Sequence, residues 1–184
     1  TDWQDLAFSR GTIYSADLSA QGGNDNLKFY AGGSFSSQEG ILVSNGIEKA
    51  SGRLNIENKA NKFTDVGVSL ALGRTAIKQV PADNFYSNPL QLVALSPVTP
   101  SRDENGELYN RPVTAYYNGL LDVEYASVKI TEYRSLVNGY LNFNLFRGMK
   151  WKNELGFDLY NLKENARYGE KTDAGTGING YGIA

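Results

Sequence analysis

Apolar and polar residues alternate one by one along six stretches of this chain, and no other feature constrains its fold as strongly. The six stretches are residues 17–21, 27–35, 50–57, 65–72, 137–145 and 151–160. In the second of them the apolar or small row is Leu27, Phe29, Ala31, Gly33 and Phe35. A period of two is typical of β-strands that have one apolar face. The sequence therefore predicts an all-β fold.

The connections between these stretches are of two kinds. Residues 22–26, 58–62 and 147–150 form short connections, whereas residues 37–49 and 74–134 form long ones. Antiparallel strands with short turns at one end and long loops at the other are typical of outer-membrane barrels. With their flanks, several stretches reach the roughly 9–11 residues that a bilayer-spanning strand needs. We therefore expect antiparallel up-and-down strands that form part of a transmembrane β-barrel, with long extracellular loops carrying short helices.

The long loop 74–134 is expected to contain elements of its own. Asn88 followed by Pro89 predicts a helix that begins near Ser87 and ends near Leu95. Four more short elements are expected: a capping box at Thr1–Gln4 that leads into a short helix, a turn at Arg102–Gly106, a helix or strand at Gly119–Tyr125, and a strand at Val128–Glu132.

The composition excludes several classes of chemistry. The 184 residues include no His and no Cys, so Ser-His-Asp or Cys-His catalysis and zinc binding through imidazole or thiolate are ruled out. The 18 Lys+Arg and 20 Asp+Glu give a net charge of -2, without the positive field that nucleic acid requires. Glu154 and Asp158 lie about 13 Å apart on one strand, too far for a glycosidase pair. We expect no enzymatic activity, no catalytic residue, no metal, no cofactor and no nucleic-acid partner.

Three further motifs have an ordinary structural interpretation beside the functional one. Residues 175–180 match G-x-G-x-x-G without room for a following helix, which favours a loop over a nucleotide site. Residues 103–107 resemble half of a calcium loop without its twelve-residue spacing, which favours a turn and leaves calcium open. Tyr109, Tyr116 and Tyr117 lie in the long loop, where aromatic rings either bind substrate or pack in the loop. Packing is favoured, and these three are the candidate substrate-binding residues.

The apolar rows need a cover. Burial of a large apolar side chain contributes about 1.5–3 kcal/mol, so rows of this size left in water would forfeit more than the about 5–15 kcal/mol that stabilises a domain. Lipid or a second sheet must cover them, and the long loop does not contain enough strands for that sheet. A soluble β-sandwich that binds carbohydrate is the alternative. The polar rows would line one hydrated surface: Lys28, Tyr30, Arg53, Glu57, Asn138, Tyr140, Asn142, Asn144 and Tyr160.

Five segments also resemble a known family when they are taken in order. They are TDWQD at residues 1–5 followed by Phe8, LSAQGGNDNLKFYAGGSFSSQEGI at 18–41, the hairpin at 53–65, SPVTPSRDENGELYN at 96–110, and VNGYLNFNLFRGMKWKNELGFD at 137–158. Each is similar to a segment of the SusC-like (RagA-type) TonB-dependent outer-membrane transporters. The likeness extends over nearly the whole chain.

This resemblance implies a place in a larger barrel. Residues 1–184 would form a single segment of a TonB-dependent receptor β-barrel, with about six strands and the long loop 74–134. We expect neither a plug nor a signal peptide within them. The resemblance also implies that the loops 37–49 and 74–134 are extracellular and that the short turns are periplasmic.

Location and partners follow from the same resemblance. It implies the outer membrane of a Gram-negative bacterium, with the lipid bilayer around the barrel. It implies import of glycans, or of peptides, driven by TonB through parts absent here and assisted by a SusD-like surface lipoprotein. Ligand residues vary with substrate in this family, so the resemblance assigns no substrate-binding residue.

Overall fold

One antiparallel sheet dominates the molecule. The computed structural model describes residues 1–81, 89–111 and 117–183. The strands are β1 (Ile13–Gly23), β2 (Leu27–Glu39), β3 (Gly46–Asn61), β4 (Thr64–Gln79), β5 (Ala126–Phe146), β6 (Met149–Tyr168) and β7 (Tyr181–Ile183). Each strand pairs with the next in sequence, in the order β1-β2-β3-β4-β5-β6-β7. The predicted up-and-down all-β architecture is confirmed.

The short connections all lie at one end of the sheet. Asn24 closes the β1–β2 turn, where its side-chain oxygen accepts from the backbone N–H groups of Asn26 and Leu27. Residues 62–63 join β3 to β4, and residues 147–148 join β5 to β6. Gly148 has a φ of 87°, a left-handed conformation that glycine adopts without a steric penalty.

The strands are longer than the alternation predicts, and the loops are shorter. The predicted loop 74–134 spans only residues 80–125, and the predicted link 37–49 spans only residues 40–45. The predicted bounds of both loops were wrong because polar residues replace the apolar row at this end of the strands. The backbone hydrogen bonds of the ladder continue there regardless of side chain. The fifth strand includes the predicted Val128–Glu132 extension. The seventh strand has only 3 residues, too few for a periodic signal.

The helices gather at the long-loop end. Helix α1 (Trp3–Ala7) is capped by Asp2, whose side chain accepts from the N–H groups of Gln4 and Asp5. The cap is therefore Asp2, not the predicted Thr1. A 3-10 helix covers Pro89–Ala94 and α2 covers Leu120–Tyr125; Ser87 and Asn88 of the predicted helix start lie outside the described residues. None of the helices in the described ranges combines the length and apolar character needed to span a membrane.

Buried apolar packing is concentrated among these helices and not on the sheet. Trp3 and Ala7 of α1 pack with Leu92 and Leu95 of the long loop. The indole N–H of Trp3 donates to the carbonyl oxygen of Ser96 at 3.1 Å. This small core joins the start of the chain to the long loop, and it leaves the sheet itself without a covering layer.

The register of the sheet separates its side chains into two faces. Ladder partners fall on the same face of a sheet. One row across the sheet pairs, in turn, Leu18, Gly33, Gly52, Leu72, Ser135 and Leu159. The apolar rows therefore lie on one face, here called the outer face. The inner face carries the polar rows. Leu155 is 69% exposed and Leu18 is 82% exposed. Within the described residues every strand belongs to this one sheet, so the two-sheet arrangement of the β-sandwich alternative is not found there.

Candidate functional site

The inner face forms a continuous polar wall across the six strands β1 to β6, and this wall is the candidate functional site. Arg134 of β5 and Asp158 of β6 form its best-defined ion pair. The guanidinium Nη2 lies 2.7 Å from Asp158 Oδ2, and Nε lies 3.2 Å from Oδ1. Both side chains are about half exposed, so the pair is a hydrated, two-point contact.

A second charged group lies nearer the short turns. Lys152 Nζ lies 2.9 Å from Glu154 Oε2 and 5.6 Å from the ring centre of Tyr140. Tyr140 lies directly opposite Gly67, and its ring fills the space above that glycine. The absent side chain of Gly67 therefore lets the aromatic ring lie flat on the wall beneath the lysine.

Uncharged hydrogen bonds continue the wall between these groups. The hydroxyls of Ser34 and Ser51 are 2.7 Å apart, and Ser69 donates to Asn55 Oδ1 at 2.7 Å. A concavity of about 450 Å³ is lined by Asp17, Ser19, Tyr30, Arg53, Arg134 and their neighbours. The wall thus offers exposed hydrogen-bond donors and acceptors, and both positive and negative charges, to a hydrated solute. Such a surface is suited to binding.

The two carboxylates considered for catalysis are each engaged by a cation. Glu154 pairs with Lys152, and Asp158 pairs with Arg134. No described group of three or more Asp and Glu side chains is arranged to hold a metal ion. Asp103 instead closes the predicted turn, because its carboxylate accepts from the N–H groups of Asn105 and Glu107.

The glycine motif at residues 175–180 forms turns, as predicted. Thr172 holds them through its hydroxyl, which accepts from the N–H of Gly175 at 3.0 Å. The segment continues into strand β7 and not into the helix that a dinucleotide site requires.

Two of the three candidate tyrosines, Tyr109 and Tyr117, are described, and both lie in the long loop, apart from the polar wall. Tyr109 is 38% exposed, whereas Tyr117 is 8% exposed with the Arg111 guanidinium 4.4 Å from its ring centre. Tyr116 lies outside the described residues. Tyr109 is therefore the more accessible of the two described rings, and its role in substrate binding stays a prediction.

Lys171 ties the long loop to the segment that follows β6. Its ammonium donates to Glu107 Oε2 at 2.6 Å and to the Tyr125 hydroxyl at 3.5 Å. These contacts, first Glu107 and then Tyr125, raise the pKa of Lys171 above its ordinary value. The lysine therefore stays charged across the physiological range, and the two loop segments are held together at the rim of the wall.

Comparison with known proteins gives related sequences over nearly the whole chain. TonB-dependent receptor P3 of Formosa agariphila is 26% identical across 98% of this chain and 19% of that receptor. TonB-dependent receptor P26 of the same organism is 29% identical across 59% of this chain and 10% of that receptor. The resemblance to TonB-dependent receptors is confirmed. No family model matches the chain.

Solved structures agree with the sequence relatives on the fold. The structure described as the RagAB peptide transporter covers 91% of this chain with a TM-score of 0.72 at 19% identity. The RagAB peptide importer in its closed-closed state gives a TM-score of 0.73 at 19% identity over 92% of this chain. The chain spans about a fifth of the length of P3 and of these transporter chains. The fold is therefore that of a section of such a barrel.

Proposed function

We propose that this chain forms part of the wall of an outer-membrane importer that takes up glycans or peptides with energy delivered by TonB. The observation that carries the proposal is the division of the sheet into an uncovered apolar face and a polar, ion-paired face. In water, the exposed row of Leu155, Phe157 and Leu159 would be strongly unfavourable. In a barrel the same row meets lipid and the polar wall meets a hydrated lumen.

The dimensions of the apolar row support this proposal. On β6 it runs from Trp151 to Leu159, eight steps that cover about 26 Å at roughly 3.3 Å per residue. A tilt of about 40° reduces this to about 20 Å, close to the apolar band of roughly 25 Å on membrane barrels. The row begins beside the short turn, so the additional length of β5 and β6 projects beyond the band on the long-loop side.

The proposed orientation follows from the loop lengths. Membrane barrels place short turns in the periplasm and long loops outside the cell, so residues 40–45, 80–125 and 169–180 would face the exterior. A SusD-like surface lipoprotein would contact this end, as the family resemblance implies. The relatives are named receptors and the structural neighbours transporters or importers, which supports a role in uptake and not in catalysis.

Substituted cysteines in the full-length protein test the proposal, with the protein lacking the added cysteine as the labelling blank; these 184 residues contribute no cysteine of their own. Ser69→Cys is on the inner face and Val68→Cys is the matched outer-face control one residue away. In intact membranes we expect a water-soluble, charged maleimide to label position 69 and not position 68. We further expect labelled position 69 to reduce uptake of glycan or peptide substrates from a panel. Labelling of position 68 in preference to 69, or uptake that is independent of TonB, would contradict the proposal.

A further inference from the structure

Above the apolar band both faces of the sheet change in character, and the inner face combines isoleucines with Glu132 and Glu164. On the inner face, Ile47, Ile77 and Ile130 lie in register across β3, β4 and β5, and Val128 is only 4% exposed. Val128 lies just after α2, whereas the three isoleucines are half-buried. The outer face at the same height is strongly basic instead.

We define this surface as the basic belt: Arg74 and Lys78 of β4, Lys129 of β5, and Lys163 and Arg167 of β6. Successive outer-face positions on these described strands continue the apolar rows upward, beyond Leu72, Tyr133 and Leu159. All five cations are exposed. The same positions include no Asp or Glu on β4, β5 or β6; the acids at this height, Glu39 and Glu48, lie on β2 and β3. The belt is thus locally positive, although the net charge of the chain is -2.

Lys129 is at the centre of the belt. It is the direct ladder partner of Lys78, and directly opposed like charges destabilise a sheet. On the other side it faces Asn165, with Lys163 and Arg167 at the diagonal positions, roughly 7–8 Å away by sheet geometry. Within the described residues none of these four cations makes a hydrogen bond or an ion pair that offsets the repulsion.

The surface around the belt is concave. A cavity of about 1010 Å³ is lined by Lys78, Lys129 and Arg167 among others, and a neighbouring one of about 850 Å³ is lined by Arg74, Lys78 and Lys129. Acids share these linings: Glu170 and Glu124 in the larger cavity, with Glu124 paired to Arg102 at 3.4 Å, and Glu39 and Glu48 in the smaller one. Lys78 and Lys129 line both cavities, and neither forms an ion pair within the described residues.

From these observations we propose that the basic belt binds the phosphate groups of lipid headgroups in the outer leaflet of the membrane. The inference rests on the proposed function, which puts the outer face in lipid. The belt directly continues the apolar rows, so an amphiphile whose chains cover Leu72 and Leu159 would bring its headgroup to the cations above them, first Arg74 and Lys163 and then Lys78 and Lys129. Cations at this level attract anionic headgroups, and lysine and arginine bind phosphate through charge-assisted hydrogen bonds.

The test uses the full-length protein in detergent and measures affinity for lipid A, a phosphorylated glycolipid, by native mass spectrometry. Lys78→Gln combined with Lys129→Gln removes the opposed pair. We expect this variant to bind lipid A roughly 30-fold more weakly, about fivefold for each surface cation removed. The matched control is Lys28→Gln combined with Lys59→Gln, two inner-face lysines, which should leave the affinity unchanged. If the double variant does not assemble, Lys163→Gln combined with Arg167→Gln replaces it.

Two probes separate the possible sources of the anion, and one readout separates this inference from the proposed function. Dephosphorylated lipid A with the same acyl chains should lose the belt-dependent affinity, and inorganic phosphate should not compete with lipid A. Equal binding of the dephosphorylated lipid, full competition by free phosphate, or an equal loss in the Lys28 and Lys59 control would overturn the inference. Spin-label oxygen accessibility at Leu155, measured on the same preparations, reports separately whether the outer face lies in lipid.

Discussion

Trp151 packs against Phe143 on the outer face, with ring centres 5.8 Å apart and planes inclined by 31°. The two residues are ladder partners on β6 and β5, next to the short turn at residues 147–148. At the other edge of the apolar rows, Tyr14 lies 6.3 Å from Phe35. Aromatic residues at both edges of an apolar band are typical of membrane barrels, where they lie at the two interfaces. The pairs thus mark the height of the proposed lipid-facing surface.

A charge in the middle of this surface should be costly. Leu155 lies halfway between Trp151 and Leu159 and is 69% exposed. We expect Leu155→Arg to destabilise the full-length protein in a bilayer by about 2–4 kcal/mol, the cost of arginine at the midplane of a barrel. Unfolding in lipid vesicles measures the effect. Asn138→Arg, on the inner face of the neighbouring strand, is the control, and an equal loss there would show that lipid contact is not the cause.

The wall glycine Gly67 should not tolerate a side chain. A Cβ at this position would collide with the ring of Tyr140, so Gly67→Val should displace that ring from Lys152. We expect a loss of about 1–3 kcal/mol in unfolding free energy, typical of overpacking. Gly73→Val is the control on the same strand and face, because the space around Gly73 is open. Equal stability of the two variants would contradict the packing described here.

The Arg134–Asp158 pair should add very little to the free energy of unfolding. Its main contribution should be the two charges that it presents on the polar wall. Both groups are about half exposed, and exposed ion pairs are weak and screened by salt. We expect Arg134→Ala and Asp158→Ala each to lower the free energy of unfolding by less than Leu155→Arg does. The charge swap Arg134→Asp with Asp158→Arg should recover the single-variant losses at low salt. A large, salt-independent loss in either single variant would be inconsistent with a hydrated pair.

The loop core should be locally separable from the sheet. Leu92 is fully buried between Trp3, Ala7 and Leu95, and Leu→Ala at such a site costs about 2–5 kcal/mol. We therefore expect Leu92→Ala to accelerate amide hydrogen exchange in residues 3–8 and 89–99. Exchange in β4 and β5 should stay as it is. Val93→Ala is the control, since Val93 is 45% exposed. If Val93→Ala accelerated exchange in residues 3–8 and 89–99 as much as Leu92→Ala does, that would argue against a specific core.

The sequence predicted the sheet well where the outer face is apolar. Alternation from Val137 to Leu145 and from Trp151 to Leu159, broken only at Asn153, located β5 and β6 and their shared turn. It failed above Leu159, where Lys163 and Arg167 replace apolar residues on the same face, so the extra length of β6 and the basic belt were both missed, whereas Val128–Glu132 of β5 was predicted as a strand. Alternation predicts strands only through burial, whereas the ladder that continues to Tyr168 depends on backbone hydrogen bonds. Every second residue beyond the apolar rows lies on the same outer face, and following these positions along each strand would have found the belt.

The polar wall was predicted as a surface but not as a set of contacts. Asn138, Tyr140 and Tyr160 were assigned to one face from parity alone, which the register confirms. The pairing of Arg134 with Asp158 required the register between β5 and β6, and that register depends on the two-residue turn at 147–148. The turn at residues 102–106 was predicted, but the two backbone N–H groups that the Asp103 carboxylate accepts from were not.

Spin-label accessibility along β4 tests the central claim most directly. Labels are introduced one at a time from Val66 to Leu72 in the full-length protein in lipid vesicles. If the outer face meets lipid, the even positions, 66, 68, 70 and 72, will be accessible to oxygen dissolved in the bilayer. The odd positions, 67, 69 and 71, will be accessible to a water-soluble nickel complex. Nickel access at the even positions, or no alternation, would contradict the assignment of this sheet to a membrane barrel wall.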